Sequence, residues 1–247
     1  MQEYILFLDS GVGGVSIFKK AISNLPQHNY IYFADNKFAP YGNKSKRALR
    51  QHLYKLIKKL TSIYNIKIVV LACNTATVSC IDYLRKKFDM IFVGCEPNIK
   101  SAIKYTKNKV LVLATDLTIK QSKVLQKYNF SNVILSNQKE LAKLIDDNIG
   151  DIEKIKRQVY FYVQKYLNKN IDAVVLGCTH YVFIKYILQD IFVGAKFFDS
   201  SQGVVNRLKF MIRVSNVKPC QNPTQIVINS KDDMPFNQQI KKLVKSL

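Results

Sequence analysis

Two stretches, IVVLACNT at Ile68–Thr75 and AVVLGCTH at Ala173–His180, carry the same pattern 105 residues apart. Each is a short apolar run rich in β-branched residues, then a small residue, a cysteine and polar residues. A continuous apolar run of this length fits a strand buried on both faces, as strands of parallel sheets are. Outward from these two, further strands read at Tyr4–Leu8, Tyr30–Ala34, Ile66–Ala72, Met90–Val93, Val110–Ala114, Asn132–Leu135, Phe197–Phe198 and Gln225–Ile228. Between them lie helical patterns: Val15 to Asn24, Lys44 to Tyr64, the segment up to Lys87, Thr118 to Tyr128, and a pair ending at Leu167. In the long one, Leu49, Leu53, Leu56, Ile57 and Leu60 recur at helical spacing. Strands alternating with helices predict an α/β fold with mainly parallel sheets flanked by helices. The internal repeat predicts two pseudo-symmetric domains, each giving one cysteine loop to a shared cleft, with a first crossing near Glu96 and Pro97.

The bulk composition narrows the function classes. No apolar stretch approaches the roughly 20 residues that cross a bilayer, and the N-terminal residues lack the basic region of a signal peptide. A cytoplasmic location is expected. Cysteines at 73, 80, 95, 178 and 220 are odd in number and contain no CxxC pair, which argues against a disulfide framework or a structural zinc site. The formal charge of +21 raises the possibility of a nucleic-acid partner. Against it, the lysines are spread over separate segments, Lys55–Lys59, Lys100–Lys109, Lys154–Lys165 and Lys241–Lys245, without a basic motif interleaved with aromatics.

Sites in parallel sheets gather beyond the carboxyl ends of the strands, and the chemically distinctive residues sit there. Asp9 to Gly14 reads DSGVGG between a strand and a helix. Its glycines permit close backbone approach, but position 16 is Ser16, so the dinucleotide fingerprint GxGxxG fails. Pro40-Tyr41-Gly42 is a rigid loop segment that by itself reads as a surface turn. Cys73 and Cys178 each open a helix, where the dipole and unpaired amides favour a thiolate. Asn74 and Thr75 follow the first, Thr179 and His180 the second. Asp9 can serve Cys73 if their strands are neighbours, and His180 can serve Cys178. Cys80, Cys95 and Cys220 read as structural, and His28 and His52 as surface residues.

A cysteine hydrolase needs one nucleophile, a base and an oxyanion hole, and has no use for a second matched cysteine. Inversion of a stereocentre does: one thiolate removes a proton from one face while the other thiol returns one to the opposite face. Thiols suit this because both protonation states are accessible near neutral pH.

Taken in order, FLDSGVGGVS (Phe7–Ser16), ADNKFAPYG (Ala34–Gly42), ACNTA (Ala72–Ala76), GCEP (Gly94–Pro97) and LGCTH (Leu176–His180) resemble the signature segments of the glutamate racemase family. Aspartate racemases of the same superfamily typically read Cys-Thr-Glu at the second cysteine, so His180 favours the glutamate branch. The resemblance implies an active site in the inter-domain cleft and a C-terminal segment that returns to the first domain, giving 1–97 with 208–247 and 98–207. It implies racemisation of L-glutamate to D-glutamate for peptidoglycan synthesis without pyridoxal phosphate, metal or other cofactor. Carried over by motif, Cys73 acts on D-glutamate with Asp9 assisting, and Cys178 on L-glutamate with His180 assisting. Ser10, Pro40, Tyr41, Gly42, Asn74, Thr75 and Thr179 hold the substrate, joined by Thr115 and Thr118 in ATDLTI. The expected partner is the small-molecule substrate, with no membrane and no nucleic acid; the sequence leaves the oligomeric state open, a homodimer among the options.

The chain departs from the family at Ala34 and Ala114, where Gly is usual, and at Val182, where Pro is usual. The family's Val-Pro-Leu-Val-Glu segment is reduced to AKLID, Ala142–Asp146, leaving an acid one methylene shorter. These departures bear on substrate fit, and leave a racemase of aspartate or another amino acid as the alternative. A nucleic-acid-binding regulator on a racemase scaffold is the reading from a different class.

Overall fold

The computed structural model of the chain describes residues 2–128, 130–138, 140–148 and 151–246. In chain order the strands are β1 Tyr4–Asp9, β2 Asn29–Ala34, β3 Ile66–Leu71, β4 Ile91–Gly94, β5 Lys109–Ala114, β6 Val133–Asn137, β7 Ile171–Gly177, β8 Lys196–Phe198 and β9 Gln225–Asn229. They form two sheets, ordered β4-β3-β1-β2-β9 and β6-β5-β7-β8. Every pairing is parallel. Read from the other edge, the second sheet runs β8-β7-β5-β6, which repeats the β4-β3-β1-β2 order of the first. The α/β class and the internal repeat read from the cysteine stretches are thus one topology used twice, with β9 added to the first copy.

Two compact units contain these sheets: residues up to Cys95 together with those from Ser201 onward, and Glu96–Ser200. The expected return at 208 differs from the division at 201. Residue 208 lies inside the continuous helix Ser201–Ser215, which packs on the helix Val15–Asn24, and a helix moves between bodies whole. The C-terminal segment supplies β9, which pairs with β2 from Tyr30 against Gln225 to Ala34 against Asn229.

In the first unit, one face of the sheet presents Leu6, Leu8, Ile31, Phe33, Val69 and Leu71 to Leu49, Leu53, Ile57 and Leu60 of the helix Lys46–Ile63. The 3.6-residue spacing of those leucines fixes which stripe of the helix is buried. Ser45 caps it, accepting a hydrogen bond from the Ala48 amide at 3.2 Å. On the same strands, Phe7 and Tyr30 pack edge-to-face with Phe18, and Tyr32 lies tilted against it. The second unit repeats the two-sided arrangement. Leu111, Leu113, Val174 and Leu176 pack with Leu141, Ile145, Ile155 and Val159, while Val110, Val112, Ala173 and Val175 pack with Ile99, Ala102 and Leu125.

Two sequence expectations are corrected. The helix read from Thr118 to Tyr128 is two, Asp116–Gln121 and Lys123–Lys127. Ser122 between them is extended, and its hydroxyl accepts from the Leu125 amide at 3.2 Å. A serine side chain here competes with the helix ladder and starts a second helix. His28, expected on the surface, is buried at 3 % exposure, and burial lowers its pKa despite contributions from the Lys218 backbone and Glu3. No helix among the described residues is long and apolar enough to cross a membrane.

Candidate active site

Each unit gathers its site residues at the carboxyl edge of its sheet. Strand β1 lies between β3 and β2, so Asp9, its last residue, is on a direct neighbour of the strand that leads to Cys73. The sequence left that adjacency conditional. Cys73 is extended, at φ −136° and ψ 124°, and opens the helix Asn74–Arg85. Cys178 has nearly the same backbone, φ −140° and ψ 137°. It opens the 3₁₀ segment Thr179–Ile184, which continues as the helix Lys185–Ile191. Both thiols are almost covered, at 6 % and 7 % exposure.

The register shows how alike the two loops are and where they differ. Leu8 pairs with Leu71, and Ala114 with Gly177. Continued along each pair, this puts Ser10 at the level of Cys73 and Thr115 at the level of Cys178. By the same count Ala114 stands where the first unit has Asp9, and Thr75 stands where the second has His180. The two cysteines are equivalent, and their helpers come from different positions.

Small residues let these edges close up. A Cβ on Gly14 would lie 2.7 Å from Ala72 Cβ, and one on Gly177 would lie 2.8 Å from both Ala114 Cβ and the Leu113 carbonyl oxygen. Each glycine therefore sets how closely a site loop meets the adjoining strand end.

Around Cys73, the wholly buried Asp9 accepts a hydrogen bond from the Gly11 amide at 2.7 Å, which fixes the DSGVGG loop. Tyr32 donates its hydroxyl to the Gly11 carbonyl at 2.8 Å. Asn74 donates to the Cys95 carbonyl at 3.0 Å, while its own buried carbonyl oxygen has no partner among the described residues. Thr75 is buried beside it. Pro40 follows a cis peptide bond and leads into the 3₁₀ turn Tyr41–Asn43, which contains Gly42. Tyr41 is buried rather than displayed on a surface turn. Its phenol pKa is raised well above the usual value by burial, then by Asp35, Cys73 and Asp9. The fields of Cys73 and Asp9 thus reach the same hydroxyl.

Around Cys178, the arrangement is a relay. The sulfur is 3.7 Å from His180 Nδ1, and His180 Nε2 is 3.0 Å from each carboxylate oxygen of Asp146. Burial works to lower the His180 pKa, but Asp146 and Cys178 outweigh it and hold it well above 6.5. The carboxylate and the sulfur thus both favour the protonated form of this buried ring. Thr115 caps the helix Asp116–Gln121 and shares a 2.9 Å hydroxyl contact with Thr118. Thr179 lies between Cys178 and His180 and is buried.

Sequence reasoning placed Cys73, Cys178, Asp9, His180, Ser10, Asn74, Thr75, Thr115, Thr118 and Thr179 at strand ends or in the loops that follow. Two contacts at the loop ends escaped it. Asp146, connected in the sequence only with substrate fit, directs both oxygens to His180. His52, expected on the surface, is 2.5 Å from Asp35 and stacked on Phe38. The surviving acid in AKLID was the available signal for Asp146; the 17-residue spacing from Asp35 gave none for His52.

Residues 14–208 match the Asp/Glu/Hydantoin racemase family. The chain is 37 % identical over 235 residues to a glutamate racemase of Clostridium acetobutylicum, covering 92 % of this chain and 91 % of that protein. It is 36 % identical over 250 residues to one from Clostridium botulinum, covering 97 % and 96 %. Among solved structures it resembles the Escherichia coli glutamate racemase crystallised with L-glutamate and the activator UDP-MurNAc-ala. The TM-score is 0.87 at 26 % identity, over 99 % of this chain and 95 % of that one. With the repeated sheet order and both cysteine loops in place, the chain belongs to the Asp/Glu/Hydantoin racemase family, on its glutamate racemase branch.

Proposed function

We propose that this chain interconverts L- and D-glutamate by moving one proton off and another onto the α-carbon, with Cys178 and Cys73 as the two acid/base groups. The observation that supports it most is the Cys178–His180–Asp146 relay, together with a second cysteine, Cys73 of the other unit, that has nearly the same backbone conformation and a different helper. From L-glutamate, the Cys178 thiolate takes the α-proton and the Cys73 thiol gives its proton to the opposite face of the carbanion. The bond to hydrogen is remade with inverted configuration. Cys178 is left as thiol and Cys73 as thiolate, the state from which D-glutamate reacts in reverse.

The helpers serve this cycle differently. His180, whose protonated form is favoured by Asp146, can stabilise negative charge on the Cys178 sulfur or pass it a proton. Asp9 does the corresponding work for Cys73 from the neighbouring strand. Ser10, Pro40, Tyr41, Gly42, Asn74, Thr75, Thr115, Thr118 and Thr179 are assigned to the substrate's carboxylates and ammonium. A carboxylate-rich substrate also suits a chain of formal charge +21. Independence from cofactors, a cytoplasmic setting, supply of D-glutamate to peptidoglycan synthesis and assembly as a homodimer belong to the same proposal.

The test is incubation of either enantiomer in heavy water without pyridoxal phosphate, following the α-proton by NMR and optical activity by circular dichroism. Both enantiomers should take up deuterium at the α-position and converge on a racemate. Cys73→Ala and Cys178→Ala should each abolish racemisation with the far-UV spectrum retained, since a buried thiol is replaced by a slightly smaller side chain. Absence of exchange from both enantiomers defeats the proposal.

A further inference from the structure

Asp35 is buried at 1 % exposure, and a carboxylate so placed must be matched by donors. One oxygen, Oδ2, receives both of the recorded side-chain partners. The Tyr41 hydroxyl donates to it at 2.7 Å, and His52 Nε2 lies 2.5 Å away. The His52 ring is also fixed from the side, stacked on Phe38 at 3.8 Å with the planes 9° apart. Phe38 in turn packs edge-on to Tyr41 and carries the Lys44 ammonium 4.8 Å from its ring centroid. The Asp35 amide donates to the Asp9 carbonyl at 2.8 Å, tying this cluster to the end of β1.

We infer that Asp35 and His52 are positioning residues for the substrate site, holding the Tyr41 phenol and with it the Pro40–Gly42 segment in the place that receives substrate. The inference rests on the racemase reading above. Neither residue needs to touch glutamate. Tyr41 has one hydroxyl hydrogen, and its use toward Asp35 fixes the ring; Tyr41 and Cys73 pack in the same buried cluster, which puts the ring on the Cys73 side of the site. His52 comes from the 18-residue helix Lys46–Ile63, so its bond to Asp35 fastens the loop to a long packed helix of the same unit. A residue that orders a binding segment before substrate arrives lowers the cost of ordering it on binding. Its loss therefore falls chiefly on KM.

Three proteins decide the matter: the parent chain, His52→Ala and His52→Gln. The His52 side chain is 29 % exposed, so neither change should prevent folding, and thermal unfolding verifies that. His52→Ala should raise KM for both enantiomers about tenfold and leave kcat within about threefold, a binding loss of about 1.4 kcal/mol. His52→Gln retains an amide donor for Asp35 Oδ2 and should recover most of the loss. An active parent whose His52→Ala variant keeps its KM within about twofold overturns the positioning role alone. So does a His52→Gln variant no better than His52→Ala. A parent that racemises no glutamate overturns the racemase reading and this inference with it.

Discussion

Replacing Asp146 by Asn removes the carboxylate that faces the buried His180 ring while leaving a side chain of the same shape. His180 is nearly enclosed and Asp146 is about one quarter exposed, with 3.0 Å contacts to both oxygens. A hydrogen bond to a charged group is worth about 1.5–3 kcal/mol. Partial exposure of the acid favours the lower half of that range, so about 2 kcal/mol of support for the Cys178 side is lost. If the transition state feels all of it, kcat/KM falls about 30-fold. The two enantiomers have equal free energy, so their kcat/KM values must fall together. The asymmetry shows in isotope effects instead. With α-deuterated L-glutamate, proton removal by the weakened Cys178 side becomes more rate-limiting and the substrate isotope effect rises. With α-deuterated D-glutamate, removal by Cys73 becomes less limiting and the effect shrinks. Equal changes from both enantiomers, or kcat/KM within about threefold of the parent, would refute the relay as a support for one thiol.

The same pair makes stability depend on pH. The folded-state pKa of His180 is raised above its ordinary 6.5. Its contribution to stability is therefore complete below about 6.5 and is lost as pH climbs through the higher folded value. Urea unfolding should show parent and Asp146→Asn differing most near pH 6 and converging at alkaline pH; a gap that widens with pH contradicts the assignment. At Gly177, substitution by Ala places a Cβ 2.8 Å from Ala114 Cβ and from the Leu113 carbonyl. It should cost about 1–3 kcal/mol, read as a Tm lower by several degrees. Adding Ala114→Gly should recover part of it, because the backbone contact remains. Among the remaining thiols, burial pushes Cys80 up to about 12 despite Arg50 and Lys46, and Cys95 is fully buried. Alkylation of the native protein at pH 8, followed by mass spectrometry, should therefore label the partly exposed Cys220 and leave Cys80 and Cys95 unmodified.

By itself the sequence determined the chemistry-bearing framework. Apolar runs such as IVVL and AVVL are legible because a strand covered on both faces must be hydrophobic at every position. The cysteines are legible because each terminates one of these runs. A short helix such as Ile99–Tyr105 escaped because one or two turns contain too few positions to show a 3.6-residue period. The partnerships were decided by tertiary structure alone. Asp9 neighbours the Cys73 strand because the sheet order is β3-β1-β2, which no local pattern encodes. His52 meets Asp35, and Asp146 meets His180, because helices from elsewhere in each unit pack over the loop ends. Hydrophobic periodicity fixes which face of a helix is buried, but not which polar group at its margin finds a charged partner. That depends on distances of a few ångströms across elements 17 and 34 residues apart in the chain.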